Sequence, residues 1–261
     1  MEKPPDPTLH LPRILCLHGG GVNAQVFRLQ SRALISHLSP YFRLCFADGP
    51  FLSSPGPGMI PTFQDLAPFR RWLRFRPDDP ALEPEDIVAA NDRSMEAAMA
   101  ADDALGATGE WVALLGFSQG AKMCASLLYR QQQRAVEPGQ DYAGSGYRFA
   151  VILAGRAPLV SLDTEILGSP ALAEASEITT APFQSVAGPE TRLRIPTLHV
   201  HGMRDPGLSQ HRQLLELWCE KGTTSLVEWD GDHRVPIKTK DVVRVVEGII
   251  GLAKRTGVLR I

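Results

Sequence analysis

Six short apolar runs decide what this chain can fold into. They are residues 13–17 (RILCL), 42–47 (FRLCFA), 111–116 (WVALLG), 149–153 (FAVIL), 196–201 (PTLHVH) and 224–229 (TSLVEW). Each is rich in Val, Leu or Phe and mostly apolar on both faces, the pattern of a parallel strand covered by helices on each side. Helical patterns fall between and beyond them, over residues 23–38, 64–75, 85–105, 119–133, 208–221 and 239–255. Strand–helix alternation of this kind predicts a doubly wound α/β sheet, with right-handed crossovers placing helices on both faces. The 261 residues suit one such domain over 1–261 with a well-buried core.

Two segments break the alternation. Residues 48–63 (DGPFLSSPGPGMIPTF) are dense in Pro, Gly and Ser, and residues 155–194 form a second long connection. Both leave the C-terminal ends of strands, where long irregular loops build binding sites.

Composition excludes several classes. A formal net charge of −2 gives no electrostatic reason to expect nucleic acid. No apolar run approaches the roughly 20 residues needed to span a bilayer, so no membrane partner is expected. The N-terminal MEKPPDPTLHLP lacks an apolar core for a secretory signal. Cys16, Cys45, Cys124 and Cys219 form no CxxC pair and sit inside apolar runs. They read as buried free thiols, which suits a reducing, cytoplasmic location.

Chemistry concentrates at LLGFSQGAK, residues 114–122. Gly116-Phe117-Ser118-Gln119-Gly120 follows a strand and opens a helix, the context a G-x-S-x-G nucleophile elbow requires. Such a turn strains the serine backbone, and the flanking glycines remove Cβ atoms that would clash where strand and helix close over it. A serine hydroxyl needs a base. In α/β-hydrolases the acid and then the histidine follow the serine along the chain. HVHGMRDPG (199–207) supplies Asp205 just past a strand, and EWDGDHRVP (228–236) supplies His233 after the last strand. Asp163, Asp230 and Asp232 are rivals for the acid, although Asp232 also reads as a turn former. The H-G-G-G turn in LCLHGGG (15–21) ends the first strand. Its N–H groups, with that of the residue after the nucleophile, suit an oxyanion hole. The candidates are Gly20 and Gln119, with Gly21 competing for the first place, and His18 is expected to brace the turn.

Phe51, Met59, Phe63 and Phe183 are candidate walls of an acyl pocket. His199, His201 and Asp205 make an H-x-H-x-x-x-D run, but the rest of a metal-hydrolase constellation is missing. The run reads as a strand leaving through a tight turn at His201-Gly202, so no metal and no organic cofactor is expected. FRRWLRFRP (69–77) carries Arg70, Arg71, Arg74 and Arg76. It reads first as a solvated helix face and second as a docking face for an acidic acyl carrier domain.

With these stretches in hand, the chain resembles the fungal serine hydrolase (FSH) family, and most of all its branch of stand-alone polyketide-releasing thioesterases. LCLHGGGVNAQVFRLQ, FADGPFLSSPGPG, LLGFSQGAKMCASLL, HVHGMRDP and DGDHRVP carry the resemblance, from about residue 13 to about 250. It implies a compact α/β-hydrolase fold lacking the first two strands of larger relatives, a Ser118–Asp205–His233 triad, and hydrolysis of an ester or thioester. Three functions follow: a thioesterase releasing a polyketide or other acyl chain from a carrier, a general carboxylesterase, and a non-catalytic binding protein of the same fold.

Overall fold

A computed structural model describes residues 6–135, 145–163, 171–178 and 188–260. Among them, six parallel strands make one sheet: β1 (Arg13–Leu17), β2 (Arg43–Ala47), β5 (Trp111–Phe117), β6 (Phe149–Leu153), β7 (Thr197–Gly202) and β8 (Thr224–Trp229), in the order β2-β1-β5-β6-β7-β8. Alternate residues of β1 show why both faces are apolar. Ile14 and Cys16 enter one core, and Leu15 and Leu17 enter the other.

Helices α1 (Ala24–Gln30), α2 (Arg32–Leu38) and α6 (Thr239–Arg255) cover the first face, where Val26, Phe27, Leu34 and Leu38 meet Val242, Val245 and Ile249. On α6, Val242, Val245, Val246, Ile249 and Leu252 form a single buried stripe at helical spacing. Burying each such side chain contributes about 1.5–3 kcal/mol. Helices α3 (Pro84–Ala104), α4 (Gln119–Arg134) and α5 (Leu208–Leu217) cover the other face through Ile87, Met95, Met123, Leu127 and Leu214. All four cysteines are free and buried. No helix among the described residues is long and apolar enough to cross a membrane.

Three helical expectations need correction. Residues 23–38 form two helices because the buried Ser31 leaves helical backbone, at φ −89° and ψ 5°. The pattern over 208–221 stops at Leu217, since the Trp218 carbonyl accepts the Leu193 N–H and Cys219 bridges to Leu193. Most consequentially, residues 64–75 are not a helix. They hold a single 3₁₀ turn (Gln64–Leu66) and a short strand, β4 (Phe69–Arg71), antiparallel to β3 (Phe51–Ser53). The N–H of Arg70 donates to the Val22 carbonyl at 2.6 Å, and its own carbonyl accepts from Gly21 at 2.9 Å. The arginine-rich segment is thereby an extended ribbon laid across the glycine turn after β1.

The strand order sets the functional edge. The chain runs from β1 outward to β2, then returns to β5 on the other side of β1. The C-terminal ends of β1 and β5 therefore flank a topological switch point, where α/β sheets open a crevice.

Candidate active site

Ser118 stands between the last residue of β5 and the first of α4, with φ 54° and ψ −114°. A non-glycine residue in this region is strained, at a cost of order 1–3 kcal/mol, and persists only where the surroundings enforce it. Enforcement comes from packing. A Cβ on Gly116 would sit 2.3 Å from the Gly120 carbonyl oxygen, and one on Gly120 would sit 2.0 Å from that of Leu17. The two glycines thus let α4 start against the ends of β5 and β1. The Ser118 N–H donates to the Leu153 carbonyl of β6 at 2.9 Å, and its carbonyl accepts from Lys122 at 3.1 Å.

His233 and Asp205 arrive from the far end of the sheet. Gly202 closes β7, where a Cβ would meet the Asp232 carbonyl at 2.5 Å. Its bareness lets the loop after β8 lie against the end of β7, joined by hydrogen bonds from the Met203 N–H to the Trp229 carbonyl and from the Arg204 N–H to the Gly231 carbonyl. β7 extends through Gly202 and turns only at Met203, so the glycine serves close approach rather than the turn itself.

In this loop the His233 Nε2 lies 3.0 Å from Ser118 Oγ, and the His233 Nδ1 lies 2.6 Å from Asp205 Oδ2. Asp205 is 4% exposed, and its Oδ1 accepts the Gly207 N–H at 2.8 Å. Burial alone would raise the Asp205 carboxyl, but hydrogen bonds from His233 and Gly207 outweigh it and hold the group below the usual carboxylate range. A carboxylate can only accept, so the His233 Nδ1 carries the proton and its Nε2 faces the serine as an acceptor. The Phe117 ring supports the imidazole at a centroid distance of 5.0 Å. A hydroxyl held in this way can lose its proton to the ring as it attacks a carbonyl.

The glycine turn after β1 lies alongside. Among the described residues the Gly21 N–H is engaged by Arg70, whereas the N–H groups of Gly20 and Gln119 bond to no protein acceptor. Of the two candidates on this turn, Gly20 therefore keeps the free donor. His18 braces the turn: its Nδ1 donates to the Gly19 carbonyl at 2.7 Å, and its Nε2 accepts the Gly49 N–H at 2.8 Å. Burial pushes the His18 pKa down to about 4, which keeps that acceptor nitrogen available.

The other acids are committed elsewhere. Asp163 pairs with Arg134 at 2.5 Å, Asp230 pairs with Arg204, and Asp232 pairs with Arg234 at 3.2 Å.

The chain is similar to known proteins over nearly its whole length. A model of the family described as serine hydrolase (FSH1) matches residues 8–245. The chain belongs to the FSH1 serine hydrolase family. Esterase pigG of Monascus ruber is 55% identical over 262 residues, covering 98% of this chain and 96% of its own. Esterase citA of Monascus ruber is 56% identical over 252 residues, covering 97% and 96%. The fold of this FSH1-family chain is also that of the Bacillus cereus carboxylesterase, at a TM-score of 0.52 and 15% identity over 96% of this chain and 92% of the other. The family and the relatives make the chain a hydrolase enzyme of the esterase kind.

Several residues of this FSH1-family site escaped sequence reasoning. The Gln119 side chain is a clamp as well as a neighbour. Its Oε1 accepts the Trp72 N–H at 2.8 Å, and its Nε2 donates to the Leu73 carbonyl at 2.9 Å. Trp72 in turn donates from Nε1 to the His18 carbonyl at 2.9 Å. This pins the segment after β4 over the glycine turn, and the Phe75 ring comes within 3.1 Å of where a Gly20 Cβ would stand. His211, on α5, lies fully buried with Nε2 at 3.7 Å from Asp205 Oδ2. Burial lowers its pKa to about 3, so the ring is neutral beside the carboxylate.

The pocket candidates divide. Met59 and Phe63 join the core cluster that contains Phe117, while Phe51 packs with the opposite cluster and lies under the Arg71 guanidinium at 5.0 Å. Phe183 lies outside the described residues. The arginines are tied to the protein's own acceptors. Arg71 is 2% exposed and pairs with Asp79 at 3.3 Å. Arg70 donates to Gly49, Arg74 to Asp79 and Pro77, and Arg76 to Pro55, all at main-chain carbonyls. The expected solvated helix face is thus replaced by a short strand carrying Arg70 and Arg71 and an irregular segment carrying Arg74 and Arg76, with the Arg70, Arg74 and Arg76 guanidiniums bound to carbonyls of the surrounding loops.

Proposed function

We propose that this serine hydrolase is a thioesterase that releases a polyketide or other acyl chain from an acyl carrier domain, using Ser118 as nucleophile, His233 as general base and Asp205 as the acid that orients it. The observation that carries the reading is the unbroken Ser118–His233–Asp205 hydrogen-bond chain, with bonds of 3.0 and 2.6 Å, beside two unspent amides. Ser118 Oγ attacks the acyl carbonyl while its proton passes to His233 Nε2, and the Asp205 carboxylate stabilises the imidazolium. The Gly20 and Gln119 N–H groups donate to the oxyanion, each such donor being worth about 3 kcal/mol of barrier. The thiol leaves with the proton from His233. Water then enters, His233 takes its proton, and the acyl chain departs as a carboxylic acid, restoring Ser118. Met59, Phe63 and Phe183 would wall the acyl site, with Phe75 standing over the oxyanion turn. Phe51, in the other cluster, would act through the β3–β4 ribbon.

The relatives are named only as esterases, which favours the second reading, a general carboxylesterase. Comparing kcat/KM for a matched acyl thioester and oxoester, each free and on a carrier protein, separates the two. Release reads as an order of magnitude or more in favour of the carrier-bound thioester. Equal values, or a preference for the free oxoester, assign the enzyme as a carboxylesterase.

A further inference from the structure

We infer that Asp205, His211 and His233 form a zinc site whose occupation switches the enzyme off. Their donor atoms lie within 4.8 Å of one another. The residue that points to a ligand is His211. Its side chain is fully buried, and neither ring nitrogen has a hydrogen-bond partner, although Nε2 is only 3.7 Å from Asp205 Oδ2. An unpaired buried polar group is costly, and native proteins rarely keep one without a reason. Two imidazoles and a carboxylate are a ligand set suited to zinc, with one position left for water.

Tetrahedral zinc with bonds of about 2.0–2.1 Å sets its donors about 3.4 Å apart, so on binding the 2.6 Å His233–Asp205 contact opens by just under an ångström while His211 Nε2, at 3.7 Å from Asp205 Oδ2, draws slightly closer. His233 is the partly exposed member, with 32% of its side chain accessible, and gives the ion its way in from solvent. This set differs from the H-x-H-x-x-x-D run. His199 Nε2 faces Thr197 and Cys219, and His201, whose ring nitrogens also lack a hydrogen-bond partner, lies behind His211 at a ring distance of 5.5 Å and outside the three-residue donor group.

On binding, zinc forms bonds to Asp205 Oδ2, His211 Nε2 and His233 Nδ1, and sheds all but one of its waters. The His233 Nδ1–H bond breaks and an Nε2–H bond forms, so the ring stays neutral and no proton is released. The Nε2 then donates toward Ser118 instead of accepting from it, and the serine has no base. The loss of activity rests on the proposed function, whereas the binding itself does not.

The test uses the tag-free full chain, cleared of metal with EDTA and dialysed. Zinc chloride is titrated by calorimetry, and in parallel against hydrolysis of a p-nitrophenyl ester. The site takes one zinc per chain and inhibits to saturation, with recovery on adding EDTA. Magnesium, which prefers six oxygens, does neither. Substituting His211→Gln or Asp205→Asn raises the calorimetric Kd about tenfold or more. No zinc binding, binding of unchanged affinity in either folded variant, or stoichiometric binding that leaves hydrolysis untouched each overturns the inference. Should His211→Gln fail to fold by circular dichroism, Asp205→Asn, which keeps the side-chain shape, decides. If Ser118→Ala still hydrolyses ester, the proposed function fails while calorimetry still reads the site.

Discussion

Asp205 shows how much one carboxylate is asked to do. Its Oδ1 is held by the Gly207 amide, its Oδ2 by His233, and its surroundings exclude water. Replacing it with Asn keeps the shape but offers the Nδ1 of His233 a donor or a neutral acceptor, which favours the wrong tautomer. The expected outcome of Asp205→Asn is a fall in kcat on the order of 10⁴ with little change in KM, read by steady-state ester hydrolysis. A fall of less than tenfold would place the orienting acid elsewhere. The meeting of Ser118, Asp205 and His233 was legible because each sits at a recognisable place in the strand–loop order. Asp205 was separable from Asp163, Asp230 and Asp232 only by proximity to the expected strand end, and the ion pairs of those three now account for them. His211 and Phe75 were not legible. The first lies in SQHRQLL, an ordinary amphipathic pattern, and reaches Asp205 only through α5–β7 packing. The second belongs to a segment whose shape is set by the side chains of Gln119 and Asp79.

At the level of elements, the six sheet strands were readable because burial on both faces forces apolar runs. The β3–β4 ribbon was not. Three-residue strands carry almost no periodicity, and FRRWLRF satisfies a helical pattern equally well. What decides it lies far away in sequence: the Val22 carbonyl, the Gly21 amide and the Gln119 side chain hold that backbone extended. The elbow is where elements press hardest on one another. In Gly120→Ala, the new Cβ would stand 2.0 Å from the Leu17 carbonyl and 2.6 Å from that of His18, so α4 must move away from β1. Thermal unfolding should drop by an amount corresponding to roughly 3 kcal/mol or more, since backbone cannot yield as a side chain does. A Tm within a degree of the parent would show that the helix start is looser than this packing implies.

Across the whole molecule, four buried neutral histidines link stability to pH. Burial lowers His18 and His201 to about 4 and His199 and His211 to about 3, against 6.5 in the unfolded chain. Because the folded values are depressed, the unfolded chain binds more protons as pH falls below 6.5, and stability is lost toward pH 4. Each extra proton contributes a slope of about 1.4 kcal/mol per pH unit. Lys122, buried and lowered from 10.5 to about 7, adds to the same slope from pH 10.5 down to 7. The buried cysteine thiols, raised above 9, reverse the sign in alkali. Stability should therefore fall steeply from pH 6.5 to 4.5, rise gently from 7 to a maximum near 9 and decline above it, as Tm from scanning calorimetry across that range would register. A flat profile would mean that the histidines are solvated. Whether Ser118 is a nucleophile activated by His233 is read by intact-mass and peptide analysis after a fluorophosphonate probe, comparing the parent chain with His233→Ala. A Ser118 nucleophile served by His233 gives a single adduct on Ser118, formed rapidly by the parent and slowed at least a hundredfold in the variant. Labelling at another residue, or equal rates in the two, would contradict it.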